Sequence, residues 1–168
     1  MAERAGRWEA FGVGGGVFAL DRLTKSLVEN HLSGGETYVL IPGFLDLMRT
    51  ENRGAAFSML AGMEGRWTTG LLIVLSAAAV VVISILLWRS GASADSGPAL
   101  RCGLALILGG ALGNLFDRVF RGAVTDFLEL YAGDFRWPAF NVADAAITAG
   151  ALLVMWDMWR ARRAMRRR

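Results

Sequence analysis

Trp67-Thr-Thr-Gly-Leu-Leu-Ile-Val-Leu-Ser-Ala-Ala-Ala-Val-Val-Val-Ile-Ser-Ile-Leu-Leu-Trp88 is a run of twenty-two residues without a charge, closed at both ends by tryptophan. At about 1.5 Å per residue such a helix is about 33 Å long, enough to cross the hydrocarbon core of a bilayer. The bracketing indoles suit the two membrane interfaces. The run is therefore read as a transmembrane helix, and lipid becomes the solvent in which the other segments are interpreted. Composition agrees. The 168 residues are 54% hydrophobic with a mean hydropathy of +0.41, which sets the chain apart from ordinary soluble domains. Its length suits one membrane-embedded domain over residues 1–168.

Three more spans follow from the same reading. Residues 100–118 are rich in Leu, Ile, Ala and Gly, and Gly109, Gly110 and Gly113 give the small-residue spacing that lets helices approach closely in lipid. Residues 138–159 end in Trp156 and Trp159, a plausible interfacial end. Residues 9–29 are the weakest span by hydropathy, because Asp21, Arg22 and Lys25 interrupt them. A cleaved signal peptide is the rival reading there. Glu3 and Glu9 spoil its basic start, and no clean small-x-small site follows. Asp21 and Lys25 are four apart and can pair on a helix face turned into the bundle.

Charge orients the four spans. Arg4 and Arg7, Arg89 and Arg101, and six arginines within Arg160–Arg168 fall on one side of an even-numbered bundle. The positive-inside rule makes that side cytoplasmic. A basic tail also suits nucleic acid, but directly after an apolar helix it reads as a membrane flank. Residues 31–66 and 120–137 are then extracytoplasmic. Tyr38-Val-Leu-Ile-Pro-Gly-Phe-Leu-Asp-Leu47 has the β-branched and aromatic content of a short strand or two. The single cysteine, Cys102, excludes an internal disulfide and is expected to be a buried, inert thiol. His31, the single histidine, is expected in a loop without a metal role. No cofactor is expected.

Chemistry is expected at Asp126 and Asp144, two carboxylates at the extracytoplasmic ends of the third and fourth spans. A charge at membrane depth is costly, which makes each a functional candidate. Two carboxyls sharing a site cannot both ionise cheaply, so the pair can hold one proton near neutrality. One member then takes a proton from water while the other donates to a peptide carbonyl. The plainer reading makes each aspartate a cap or bridge, with Arg121 satisfying Asp126. Asn52, Asn114 and Asn141 can orient carboxylates or a substrate backbone. Asn114 and Arg118 share a helix face, and Asp117 with Arg118 suggests an interfacial ion pair.

Five segments in order, Asp21-Arg-Leu-Thr-Lys25, Asn52-Arg-Gly54-Ala-Ala-Phe57, Gly109 to Arg118, Val124-Thr-Asp126-Phe127 and Phe140-Asn141-Val-Ala-Asp144, resemble the signature segments of lipoprotein signal peptidase (signal peptidase II). The resemblance implies an all-α membrane peptidase of four transmembrane helices, with a small extracytoplasmic β-cradle and a short amphipathic helix drawn from residues 38–66. It implies cleavage of prolipoproteins just before a diacylglyceryl-modified cysteine in the bacterial inner membrane, by Asp126 and Asp144. Asp21, Lys25, Asn52, Gly54, Asn114, Arg118 and Asn141 would shape the site or contact substrate. Expected partners are the lipidated substrate and membrane lipid, with no nucleic acid, and the chain is expected to be a monomer. Two other classes compete: a proton-coupled transporter or channel subunit with an Asp/Arg relay, and an assembly protein whose polar residues bind partner helices.

Overall fold

A computed structural model describes residues 2–54, 66–90 and 97–166. Four helices, α1 (Ala2–His31), α2 (Arg66–Ser90), α3 (Pro98–Phe120) and α4 (Val142–Met165), are joined at one end by a four-stranded antiparallel sheet. Its strands, in order β1 (Thr37–Ile41), β2 (Leu45–Asn52), β3 (Val124–Ala132) and β4 (Phe135–Arg136), come from the connections α1–α2 and α3–α4. The sheet therefore caps the bundle end opposite the arginine tail.

Among the described residues, α2, α3 and α4 are long and apolar enough to span a membrane. α1 is about 45 Å long by its thirty residues, but its charges hold it below that standard of apolarity. α3 is the central helix, packed against α1, α2 and α4. Glycine makes this possible. A Cβ on Gly109 would strike Gly14 and Val17 of α1, and one on Gly110 would strike the Ala143 carbonyl and Ile147 of α4. Lower in the bundle, Ala10, Leu87, Leu104, Ala105 and Leu108 form the buried apolar core. The outward faces of α2 and α4, including Leu71, Val74, Val82, Leu152 and Met155, are exposed, as lipid-facing surfaces are.

Several expectations need correction. The sheet is larger than the expected cradle, because residues 120–137 supply two strands as well as the expected pair from residues 31–66. The fourth helix begins at Val142, later than residue 138. Asn141 caps it, its side chain accepting from the Asp144 backbone N–H at 2.9 Å, while Asp144 Oδ2 accepts from the Asn141 N–H at 3.4 Å. This reciprocal capping box fixes the start of the helix more sharply than hydropathy does. Cys102 is exposed on α3. An apolar run in a membrane protein points outward to lipid as readily as inward, so apolar neighbours did not imply burial. His31 closes α1, its Nδ1–H donating to Leu27 O at 2.8 Å, and is not in a loop. Residues 55–65, which include Ala55, Ala56 and Phe57 and part of the stretch 38–66 from which the amphipathic helix was expected, lie outside the described residues.

Candidate active site

Asp126 lies third in β3 and Asp144 in the first turn of α4. Strand pairing positions the first. Asp126 stands opposite Thr50 and Val124 opposite Asn52, so the side chains of Asn52 and Asp126 emerge on one face of the sheet. Asn52 Nδ2 donates to Asp126 Oδ2 at 3.0 Å. Asn52 is itself oriented by the Gly54 N–H, which donates to its Oδ1 at 2.9 Å. Gly54 makes that turn with φ +106°, and a Cβ there would strike Leu72 of α2. Only glycine adopts that backbone comfortably.

Asn141 joins the two carboxylates. Its Nδ2 donates to Asp126 Oδ1 at 2.6 Å and lies 3.3 Å from both Thr125 O and Asn114 Oδ1. With two N–H bonds for three acceptors, the short contact to Asp126 is the principal one. Asn114 Nδ2 donates to Asp144 Oδ1 at 2.7 Å. A continuous path therefore runs from Asp126 through the amides of Asn141 and Asn114 to Asp144. Asp126, Asn141 and Asn114 are buried, whereas Asp144 is partly open. Arg118, one turn beyond Asn114, lies within electrostatic reach of Asp144, Asp126 and Asp117. Its Nη1 donates to Asn114 O at 3.3 Å. Its buried Nε–H has no acceptor among the described residues.

Beneath this layer, Lys25 Nζ sits 2.9 Å from Asp21 Oδ2, 2.8 Å from Asp117 Oδ2 and 3.0 Å from Asn114 Oδ1, all fully buried or nearly so. Arg22 pairs with the other oxygen of Asp117. The cluster is charge-balanced, as a buried ionic group must be. It also settles the orientation of the Asn114 amide: the ammonium holds its oxygen, which turns its NH₂ towards Asp144. Asp21 Oδ1 accepts from the Ala143 N–H at 2.9 Å and so ties α1 to the start of α4.

All nine sequence-predicted residues thus fall in one connected region. Asp117 partners Lys25 and Arg22, not Arg118. Neighbours in a helix point about 100° apart, so adjacency in sequence was a poor guide. Arg121 pairs with Glu29 and leaves Asp126 to the asparagines. Arg22 and Glu29 escaped the sequence reading, although Glu29 continues the four-residue spacing of Asp21 and Lys25. Burial pushes the Asp126 carboxyl up to about 6; hydrogen bonds from Asn52 and Asn141 oppose this, and the charge of Asp144 adds to it. Asp144 faces the N-terminal end of α4, where the helix dipole presents partial positive charge. Two carboxyls in such different settings suit the division of labour of an acid and a base. Among the described residues no group of three His, Cys, Asp or Glu side chains is arranged to hold a metal ion.

Comparison with known proteins gives a concordant picture. The family model described as signal peptidase (SPase) II matches residues 14–160. The lipoprotein signal peptidase of Solibacter usitatus is 49% identical over 157 residues, 94% of each chain. That of Paraburkholderia phymatum is 44% identical over 150 residues, covering 89% of this chain and 87% of its own. Two solved structures described as bacterial membrane enzymes share the fold, each with a TM-score of 0.75. One is 26% identical and covers 89% of this chain and 92% of its own; the other is 25% identical and covers 90% and 88%. The chain therefore belongs to the signal peptidase II family, the lipoprotein signal peptidases.

Proposed function

We propose that this lipoprotein signal peptidase hydrolyses the peptide bond just before a diacylglyceryl-modified cysteine, with Asp126 and Asp144 as its acid–base pair. The observation that carries this reading is the amide path from Asp126 through Asn141 and Asn114 to Asp144. It links the two carboxyls through neutral amides, with the Arg118 charge within electrostatic reach of both.

The chemistry follows from that pair. In the reactive form of the pair Asp126, whose carboxyl burial raises, carries the shared proton, and Asp144 takes a proton from the attacking water. The oxygen of that water bonds to the scissile carbonyl carbon as Asp126 donates to the carbonyl oxygen. Collapse of the tetrahedral intermediate breaks the C–N bond as Asp144 passes the proton it took from water to the departing amine of the cysteine, and a hydroxyl proton of the intermediate returns to Asp126, which restores the pair. Asn52 and Asn141 fix both oxygens of Asp126. Arg118 offers its unpaired Nε–H to the substrate backbone beside the pair. Asp21 and Lys25 act at one remove, by orienting Asn114 and the start of α4.

In the membrane, α1 serves as the fourth span because Asp21, Arg22 and Lys25 turn inward, to Asp117, the Ala143 N–H and one another. Both termini are cytoplasmic, the sheet lies on the extracytoplasmic side of the inner membrane, and one protomer holds the complete site. A lipidated cysteine would then be presented at interface depth. The transporter reading is disfavoured by the placement of charge: the buried ionisable residues Asp21, Lys25, Asp46, Asp117 and Asp126 gather in the sheet-side half and do not extend through the apolar core below.

The test is cleavage by the purified protein of one prolipoprotein in two forms, with and without the diacylglyceryl group. Only the lipidated form should be cut, with the lipidated cysteine as the new first residue. Equal cleavage of both forms would refute the substrate class, and cleavage of neither would refute the peptidase reading.

A further inference from the structure

We propose that Glu29 is a positioning residue for the cleavage reaction: its carboxylate holds the hydroxyl of Thr125 and so fixes where the neighbouring Asp126 stands relative to Asp144. The proposal rests on the reading of those two aspartates as the reacting pair.

Asp21, Lys25 and Glu29 recur every four residues and form one stripe along α1. Each rung grips a different part of the site. Asp21 accepts from the N–H of Ala143, the residue before Asp144. Lys25 holds the amide that donates to Asp144. Glu29 Oε1 accepts from Thr125 Oγ1 at 2.7 Å, and Thr125 is the residue before Asp126. A single helix thus sets both carboxyls through the residue that precedes each.

Glu29 is itself held by two arginines. Arg121, from the connection between α3 and β3, pairs with its carboxylate. Arg49 of β2 donates to the carbonyls of Glu29 and Leu32 at 3.0 and 3.1 Å. The Glu29 side chain is only 12% exposed, so water competes poorly for these bonds. On the other side of the strand, the Thr125 carbonyl lies 3.3 Å from Asn141 Nδ2, the group that donates to Asp126. Residue 125 is therefore clamped between Glu29 and Asn141.

Successive strand residues point to opposite faces, so Glu29 acts from behind the strand and does not touch the reacting atoms. On this back face Glu29, Arg49, Glu51, Arg121, Ala123 and Thr125 line a cavity of about 270 Å³. Hydrogen bonds more than close packing hold the strand there. Loss of the Glu29–Thr125 bond leaves the Asp126 segment free to shift, and a displacement of about 1 Å can cost about 100-fold in rate.

The experiment measures kcat and KM on lipidated prolipoprotein, with thermal midpoints, for full-length Glu29→Ala, Glu29→Gln, Thr125→Val and the double variant Glu29→Ala/Thr125→Val. The alanine and valine variants should lose about 10- to 100-fold in kcat with KM within about twofold. The double variant should be no worse than the poorer single one, because both remove the same bond. Glu29→Gln keeps an acceptor for Thr125 and should recover most of the lost kcat. Wild-type kcat in folded Thr125→Val would overturn the proposal, as would losses that add in the double variant. Should Glu29→Ala fail to fold, the nearly isosteric Thr125→Val decides alone. Asp126→Asn separates the two claims: wild-type cleavage by it refutes the dyad, whereas an inactive Asp126→Asn beside a fully active Thr125→Val refutes only the role of Glu29.

Discussion

Asp126 is held where an anion is expensive, and that cost has a measurable sign. Its carboxyl, at 3.8 in the unfolded chain, is raised to about 6 in the fold by burial. Between those values the folded state binds more protons. Ionisation of Asp126 therefore subtracts stability as pH rises through that window, and the subtraction is complete above it. The difference amounts to about 3 kcal/mol at most, and rearranged bonds from Asn52 and Asn141 offset part of it in any neutral variant. Asp126→Asn should then unfold at a higher temperature than the wild type at about pH 7.5, with the advantage fading by about pH 4. Thermal unfolding in detergent at the two pH values checks this, and a variant less stable at both would contradict it. At this scale the sequence was informative where partners were local. Asp21 and Lys25 pair as their four-residue spacing implied, at 2.9 Å. Asp117 was misjudged because its true partners, Arg22 and Lys25, lie on another helix, and no local spacing encodes a contact so distant in sequence.

Helix α3 carries the site because it is thin where its neighbours cross it. The spacing of Gly109, Gly110 and Gly113 was legible from the chain alone, and each lies against α1 or α4. Gly110→Ala should destabilise the protein by about 1–3 kcal/mol, because the added methyl meets the Ala143 carbonyl and Ile147. Gly12→Ala, with no atom near the position of its Cβ, should be neutral or mildly stabilising through helix propensity. A fall of the Gly12→Ala midpoint equal to that of Gly110→Ala would show that glycine content, not close approach, matters. Element boundaries were less legible. Hydropathy placed the fourth helix too early because Pro138, Ala139 and Phe140 are apolar, while Asn141 with Asp144 supplies the capping signal that starts it. Strand β3 was read only as the stretch that carries Asp126. Its run Val124-Thr-Asp-Phe-Leu-Glu-Leu-Tyr-Ala132 pairs with β2, a long-range contact that its own sequence does not specify.

For the molecule as a whole, lipid is what makes the arrangement intelligible. Apolar faces turn outward on α2 and α4, while the polar residues collect inside, below the sheet, where α1, α3 and α4 meet. The spanning helices were plain from the sequence because a bilayer demands long apolar runs. The geometry of the site was not, because it depends on side chains meeting from four elements: Asn52 from β2, Asp126 from β3, Asn114 from α3, and Asn141 with Asp144 at the head of α4. The central claim is that the two aspartates act together on a peptide bond. It is tested most directly by cleavage of a diacylglyceryl-modified prolipoprotein by the purified wild type, Asp126→Asn and Asp144→Asn, each shown to be folded. The wild type should cut, and each variant should lose at least about 1000-fold in rate; cleavage at the wild-type rate by either variant would contradict the account.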